Sequence, residues 1–244
     1  MEKRTVDTPM MSLLLSLPLF QGLTLDQLMH ILEKAPLDFI NLSDGRFVRQ
    51  GERHDKVSFI LKGRVERVLT NQQAAYTFAE TMEETDIIEL CSLFGRNALY
   101  GADYWAKGEV TLLSFDKRYL FTVLNHFDIV QLNLLNLFSA RSQSLQQRLL
   151  EVSGHSLIGQ FCHFINKISD IPRGRKELEM TRVDLANLLD CSRRRMSEEI
   201  VSWEKKGLIE VSYGRLVIPD LRQFTLAVMK NEGNPSQTLP KEGL

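Results

Sequence analysis

Three consecutive arginines, Arg193 to Arg195, are the residues of this sequence that point most directly to a chemical role. They follow Ser192, a residue type that caps helix N-termini, and they open a helical pattern that Gly207 ends. Three cations at a helix start oppose the helix dipole, so solvating the helix is a poor reason for their presence. Guanidinium groups suit the O6/N7 edge of guanine, and a helix N-terminus favours phosphate, so the sequence predicts a DNA-reading helix.

The segments around this helix predict a winged helix-turn-helix. Thr181 can cap a short preceding helix, and Asp190-Cys191 supplies the turn between the two helices. After the second helix, residues 208–211 and 215–218 predict two strands joined by a turn. Helix, tight turn, helix and β-hairpin are, in this order, the parts of that DNA-binding motif.

The helical period separates an inner from an outer face on the second helix. Its apolar residues share one side and should pack inward: Met196, Ile200 and Trp203. Arg193, Arg194 and Ser197 lie on another side, near the N-terminus. Residues 172–223 hold eleven basic and nine acidic residues, whereas residues 1–150 hold sixteen and eighteen. The small positive excess therefore lies where DNA would dock.

Length and composition set the broad class of the protein. The chain has 244 residues, enough for two domains, and its 43% hydrophobic and 25% charged content is that of an ordinary globular protein. Cys91, Cys162 and Cys191 stand far apart, which excludes a disulfide scaffold and favours a reducing compartment. The apolar run at residues 10–20 is too short for a membrane span, so we expect a first helix there and a cytoplasmic protein.

The N-terminal half has the pattern of a β domain. Alternating β-branched segments recur between turn residues, and five strands are predicted, at 46–49, 57–61, 64–69, 75–81 and 109–115. Many short strands at this spacing predict a double-sheet jelly roll, that is, a double-stranded β-helix.

A long helix from residue 128 to about 152 follows the strands. Its apolar positions recur at threes, fours and sevens: Val130, Leu134, Leu137, Phe138, Leu145 and Leu149. This stripe is compatible with packing on a core and with a dimer seam. The predicted fold class is α+β, with a jelly roll at 1–127, a dimerisation helix at 128–153, a winged helix-turn-helix at 154–230 and a solvated tail at 231–244.

Several motifs together resemble the CRP/FNR superfamily of bacterial transcription regulators across residues 13–222. The motifs occur in the family's order: Leu17–Leu23, Gln50-Gly51-Glu52, Phe59–Val65, Thr181–Ala186, Cys191-Ser192-Arg193 and Lys206–Ile209. The resemblance implies an effector-sensing roll, a homodimer on a two-fold operator in double-stranded DNA, and RNA polymerase as a partner. Family half-sites lie about one DNA turn, roughly 34 Å, apart.

The resemblance also assigns roles within the DNA motif. Arg193, Arg194 and Glu198 match base-reading positions, and Thr181, Arg182 and Ser192 match phosphate contacts; Arg195 and Ser197 complete the predicted DNA-binding set. Many relatives carry arginine where this chain has Glu198. A carboxylate can accept a hydrogen bond from cytosine N4 but cannot bond to the acceptor atoms of guanine. We therefore expect the operator sequence to differ from the consensus of those relatives.

The effector pocket departs from the family's cyclic-nucleotide pattern. The turn Ile87-Ile88-Glu89 keeps the glutamate without the glycine, and the expected Arg-Ser or Arg-Thr pair falls near residues 97–99, with Arg96 as the nearest cation. A buried phosphate without a cation is costly, so we do not expect cyclic AMP to bind. The remaining pocket candidates are Gly51, Glu89, Arg96 and Ser144.

No cofactor or metal is assigned from the sequence. An iron–sulfur cluster needs four cysteines, and the chain has three. Haem stays open, with an axial ligand from His30, His54, His126, His155, His163 or Cys91, as do a redox switch at Cys91 or Cys191 and an unknown small molecule.

The sequence is less compatible with two other classes of function. A cupin-type metalloenzyme needs two histidines and a glutamate on adjacent strands, yet His54 is the sole histidine between residues 37 and 115, so we do not expect an enzyme. A helix-turn-helix kept as a scaffold without DNA contact is the second alternative, and the three arginines argue against it.

Overall fold

The chain folds as two units whose boundary does not follow the sequence order. The computed structural model describes residues 8–34, 37–151, 156–212 and 214–231. The first unit holds the chain up to Leu69 together with Thr81–Gln143, and the second holds Thr70–Glu80 together with the chain from Ser144 onward. The division thus runs through the long helix, and it places a short segment from the middle of the β domain with the C-terminal half.

Strands β1, β2, β3 and β5 form the sheet of the first unit. The elements up to the long helix are α1 (Thr8–Ser16), α2 (Leu25–Lys34), β1 (Asp38–Leu42), β2 (Gly45–Val48), β3 (Lys56–Asn71), β4 (Tyr76–Met82), β5 (Asp103–Asp116), α3 (Tyr119–Thr122) and α4 (Asp128–Glu151). Strand β5 pairs antiparallel with β1, β2 and β3. Its inward side chains, Leu113 and Phe115 among them, meet Phe59 and Phe20 in the core.

Residues 57–61 and 64–69 were predicted as two strands, with a turn between them at Lys62-Gly63. This prediction is wrong, because both segments lie in the single strand β3. The pairing of β3 with β5 shifts register on both sides of Lys62, as a β-bulge does. Gly63 has a φ of +91°, and a Cβ there would collide with the carbonyl oxygen of Glu109. The glycine therefore marks a bulge rather than a chain reversal.

Most of the apolar residues predicted for a dimer seam on α4 contact the core of the first unit. Val130 is 1% exposed within the core of the first unit, and Leu134, Leu137 and Phe138 are partly buried against that core. These four residues therefore pack against the core of the first unit, and their predicted part in a dimer stays a prediction. Leu145 is half-buried in the second unit, and the side chain of Leu149 lies outside the described residues.

The second unit contains the predicted winged helix. Its elements are α5 (Leu157–Ile168), β6 (Lys176–Met180), α6 (Arg182–Leu188), α7 (Arg193–Lys205), β7 (Glu210–Ser212), β8 (Arg215–Ile218) and α8 (Leu221–Asn231). Strand β8 pairs with both β6 and β7. With antiparallel strands in the first unit and helices and strands in the second, the α+β prediction is confirmed. The residues predicted as a tail lie, after Asn231, outside the described part.

The segment Thr70–Glu80 is built into the second unit through strand pairing and a buried ion pair. Residues Tyr76 to Glu80 of β4 pair antiparallel with β6, from Tyr76 opposite Met180 to Glu80 opposite Lys176. The Lys176 Nζ lies 2.8 Å from Glu80 Oε2, and both side chains are fully buried. The same carboxylate accepts hydrogen bonds from the backbone N–H groups of Asp170 and Ile171, at 2.8 and 3.2 Å. A carboxylate and an ammonium are tolerated inside a protein when they are paired and hydrogen-bonded in this way.

Candidate nucleic-acid interface

Two capping residues fix the helix-turn-helix. The Thr181 Oγ1 accepts a hydrogen bond from the backbone N–H of Asp184, and the Ser192 Oγ accepts one from Arg195, at 3.1 and 3.2 Å. Each therefore satisfies a backbone donor that a helix start would otherwise leave unpaired. Between the helices, Asp190 adopts a left-handed conformation with φ +47°, which turns the chain sharply into α7.

The inner face of α7 packs as the sequence predicts. Met196, Ile200 and Trp203 are all at most 1% exposed. The Trp203 ring stacks on Phe161 of α5 with a centroid distance of 5.3 Å, and its Nε1 donates to Glu199 Oε2 at 3.0 Å. Burial of these large side chains fixes the rotation of α7 about its axis, and that rotation decides which residues face outward.

The outer stripe of α7 consists of Arg194, Glu198, Val201 and Lys205. These positions follow one another at intervals of four, three and four residues, and all four side chains are exposed. Arg193 and Arg195 are exposed beside the stripe, and Ser197 is half-buried. The predicted base-reading residues Arg193, Arg194 and Glu198 are thus brought together on the solvent side of the first two turns.

Two residues of the outer stripe were missed by sequence reasoning. Val201 is 42% exposed, although it is apolar, and Lys205 lies one turn further on. Their spacing from Arg194 was the available signal. In a major groove, a valine methyl group suits the C5-methyl of thymine, and a lysine suits a phosphate.

An ion pair joins Arg194 and Glu198 across one helical turn. The Arg194 Nε lies 2.9 Å from Glu198 Oε1, with the two side chains 90% and 63% exposed. Such an exposed pair contributes little to stability, so either group can leave it for a base edge at small cost. In this structure the Glu198 carboxylate holds the Arg194 guanidinium beside the helix.

The predicted phosphate contacts lie at the two helix starts. Both hydroxyls, of Thr181 and Ser192, already cap their helices, and Thr181 Oγ1 also bonds the Asp184 carboxylate. Arg182 is exposed, and within the part of the chain that the structure describes it has no ion-pair partner.

The wing is tied to the recognition helix through its backbone. The Val211 N–H of β7 donates to Glu204 Oε1 at 3.2 Å, and Gly207 ends the helix region with a φ of +67°. The Arg215 guanidinium of β8 lies 3.5 Å from carboxylate oxygens of Glu177 and Glu179. The wing is therefore hydrogen-bonded to α7 and ion-paired to β6.

The predicted effector residues of the first unit differ in exposure. Gly51 and Arg96 are exposed, and Ser144 belongs to the second unit. Glu89 is buried, and its carboxylate accepts hydrogen bonds from the Gly101 N–H, Ser92 Oγ and Tyr104 OH at 2.5, 2.8 and 2.7 Å. Both of its oxygens are thus engaged by the roll itself.

His54 extends this buried network. Its Nδ1 lies 3.2 Å from Ser92 Oγ, its ring packs on Tyr100 at 4.1 Å between centroids, and burial lowers its pKa to about 4. The Lys117 ammonium, which donates to the His54 carbonyl oxygen at 2.7 Å, acts in the same direction on that pKa. The imidazole is therefore neutral in the folded protein at neutral pH.

Folding stability should fall when the pH drops below the ordinary histidine pKa. Because the pKa of His54 is about 4 when folded and 6.5 otherwise, the unfolded chain binds the proton first as the pH falls from 6.5 to 4. The free energy of unfolding should decrease by about 2 to 3 kcal/mol across this window. Urea titrations of the wild type and of His54→Gln at pH 7.5 and 5.0 check this. An equal decrease in both proteins would contradict the role of His54.

Metal and membrane roles find no structural support. Among the described residues, no three or more histidine, cysteine or acidic side chains group as metal ligands would, and the haem candidate His155 lies outside those residues. Cys91 is exposed, Cys191 is half-buried and Cys162 is buried. Within the described helices, none has the length and hydropathy that crossing a membrane requires.

Comparison with known proteins identifies the C-terminal domain. Residues 147–225 match the family model of the Crp-like helix-turn-helix domain. No curated protein matches the sequence at a significant level.

Solved structures resemble the fold over most of the chain. A structure described as a transcriptional regulator of the Crp/Fnr family from Eubacterium rectale is 16% identical, with 86% of this chain and 97% of that one covered and a TM-score of 0.50. The catabolite activator protein of Thermus thermophilus is also 16% identical, with 88% and 99% covered and a TM-score of 0.45. The sensor domain of the regulator DNR from Pseudomonas aeruginosa is 25% identical over 54% of this chain and 91% of its own, with a TM-score of 0.44.

The match to the Crp-like domain and the exposed arginines of the capped helix α7 both indicate DNA binding. The chain carries a Crp-like helix-turn-helix domain and is a DNA-binding transcription regulator.

Proposed function

We propose that this regulator binds a two-fold operator as a homodimer and reads bases with the outer face of α7. The observation that carries the proposal is the exposure of Arg193, Arg194 and Glu198 opposite a fully buried apolar face. Arginine would read guanine, and Glu198 would accept from cytosine N4. Val201 would contact a thymine methyl group.

Phosphate contacts would set the register of the helix on DNA. Arg182 and Arg195 are exposed at the starts of α6 and α7, where backbone N–H groups and guanidinium groups can meet the same DNA strand. Thr181 and Ser192 would serve mainly by capping these helices.

Selection of binding sites from a random duplex library tests the proposal directly. We expect a two-fold symmetric sequence whose half-sites are centred about 10 base pairs apart. Enrichment of no sequence at all would overturn the proposal, whereas enrichment of a single unrepeated half-site would overturn its two-fold part.

The dimer surface we propose is the outward side of α4. Leu132 and Leu135 are 53% and 64% exposed there, and residues 139 and 142 continue the spacing with serine. Intervals of three and four residues are those of a coiled-coil seam. Regulators of this family act as dimers, and large exposed leucines on a helix facing away from its own core suit a second copy of the chain.

Charges on this side of α4 should separate the dimer. We expect Leu132→Glu with Leu135→Glu to sediment as a monomer at micromolar concentration, because two carboxylates from each protomer would lie in the seam. Leu99→Glu, which changes an equally exposed leucine elsewhere in the first unit, is the control and should remain a dimer. Sedimentation velocity measures both, and a dimer in the double variant would contradict the assignment.

We also propose that cyclic AMP is not the effector. Supporting this, the Glu89 carboxylate is fully engaged within the roll, and Arg96, the nearest candidate for a phosphate anchor, is exposed rather than buried. The family consists of regulators, and we assign this chain no enzymatic activity; its effect on transcription would pass through RNA polymerase.

Cyclic AMP should therefore leave DNA binding unchanged. We expect the affinity for the selected operator, measured by fluorescence anisotropy, to change by less than about twofold when millimolar cyclic AMP is added, because the predicted phosphate anchor Arg96 is exposed to water. A large increase in affinity would show that the site opens and would contradict the proposal.

A further inference from the structure

A pocket that no role described so far uses lies within the second unit. Its volume is about 610 Å³, within the range of small-molecule sites. It is bordered by residues 70–77, the start of α6, the middle of α7 and the wing. Its floor is apolar and is formed by Met180, Leu185, Ile200, Val211 and Leu216.

The charge of the pocket is set by one arginine. Two of its lining residues are ionised at neutral pH, Glu179 and Arg182. The Glu179 carboxylate lies 3.5 Å from the Arg215 guanidinium, which offsets its charge. Arg182 has no such partner among the residues that the structure describes, so the pocket combines an apolar floor with an uncompensated cation.

We propose that this pocket binds a small organic anion with an aromatic or aliphatic body. The acidic group would pair with the Arg182 guanidinium, and the body would cover the apolar floor. Such a ligand would contact the start of α6, the middle of α7 and the wing. The consequence for regulation rests on the proposed function: Arg182 is also a proposed phosphate contact, so the anion and DNA would compete for it.

A pair of fluorescent probes tests the site without knowledge of the natural ligand. 8-Anilinonaphthalene-1-sulfonate carries an aromatic body and an anionic group, and N-phenyl-1-naphthylamine carries the same body without the charge. We expect Arg182→Gln to weaken sulfonate binding about fivefold, the upper range for a surface ion pair, and to leave the neutral probe unchanged. The matched control Arg222→Gln removes the same charge from an exposed residue of α8 that does not line the pocket, and it should change neither titration.

A second variant tests the location of the probe. Thr77→Trp adds a large side chain to the lining of the pocket, and we expect it to abolish binding of both probes while the circular dichroism stays that of the wild type. Unchanged sulfonate binding in Arg182→Gln, or unchanged binding of both probes in Thr77→Trp, would overturn the proposal.

Competition with DNA separates this inference from the proposed function. The selected operator duplex should displace the sulfonate probe from the wild type and should not displace the neutral probe. If probe binding follows the two variants but the protein binds no DNA, the pocket stands and the proposed function fails. If DNA binds without displacing the sulfonate, the regulatory consequence fails.

Discussion

Replacing Arg193 and Arg194 with alanine will lower the affinity for the selected operator by about a thousandfold. Each arginine that forms a bidentate bond to guanine contributes about 1 to 3 kcal/mol of discrimination, and both residues lie exposed on the first turn of α7. Fluorescence anisotropy on a labelled operator duplex measures the loss. Urea unfolding should be nearly unchanged, because neither side chain is buried.

The matched control for this experiment is Arg222→Ala in α8. Arg222 is exposed and lies outside the helix-turn-helix, so its removal takes away a charge without removing a base contact. The double variant should also discriminate less between the operator and unrelated duplexes, because it loses two base contacts and keeps its phosphate contacts. Full operator binding by the double variant would revive the alternative in which the motif is only a scaffold.

Lys176→Met will destabilise the second unit by about 3 to 5 kcal/mol, the cost of leaving one buried charge without its partner. The substitution leaves the Glu80 carboxylate buried with two backbone donors but without the ammonium. Trp105 and Trp203 are the two tryptophans of the chain, one in each unit, so a Trp105→Phe background makes urea unfolding by fluorescence report on the second unit.

Two comparison variants isolate the charge effect. Adding Glu80→Gln to Lys176→Met should recover most of the lost free energy, because the glutamine oxygen can still accept from the backbone of Asp170 and Ile171. Arg175→Met breaks an exposed pair with Glu177 in the same unit and should cost less than about 1 kcal/mol. If the single Lys176 variant is as stable as the Arg175 variant, the buried pair does not hold the unit together.

The recognition helix was predictable because its information is local. Ser192, the buried spacing of Met196, Ile200 and Trp203, and Gly207 lie within sixteen residues, and they determine both the ends and the rotation of α7. The exposed arginines follow from that rotation. Val201 was missed because it is apolar, although its spacing from Arg194 places it on the exposed side of α7.

The non-local features could not be predicted in the same way. Glu80 and Lys176 are 96 residues apart, and neither has a sequence neighbour that points to the other. The α4 stripe at Val130 and Leu134 carries the spacing of a dimer seam as well as that of a core-facing helix, and the spacing alone does not show that these residues pack against the core of the first unit. Gly63 likewise carries the signal of a turn, although it relaxes a bulge in a continuous strand.

The placement of Thr70–Glu80 means that the DNA-binding half is not a module that can be cut out at one point. The segment matched by the Crp-like family model, 147–225, omits the strand that pairs with β6. A fragment that starts at Ser144 would leave β6 as an open sheet edge, a template for pairing with other chains, and would lack Glu80, which pairs with Lys176 in the complete chain. Exchanging the DNA-binding domain of this protein with that of a relative therefore requires transferring two separate segments of sequence together.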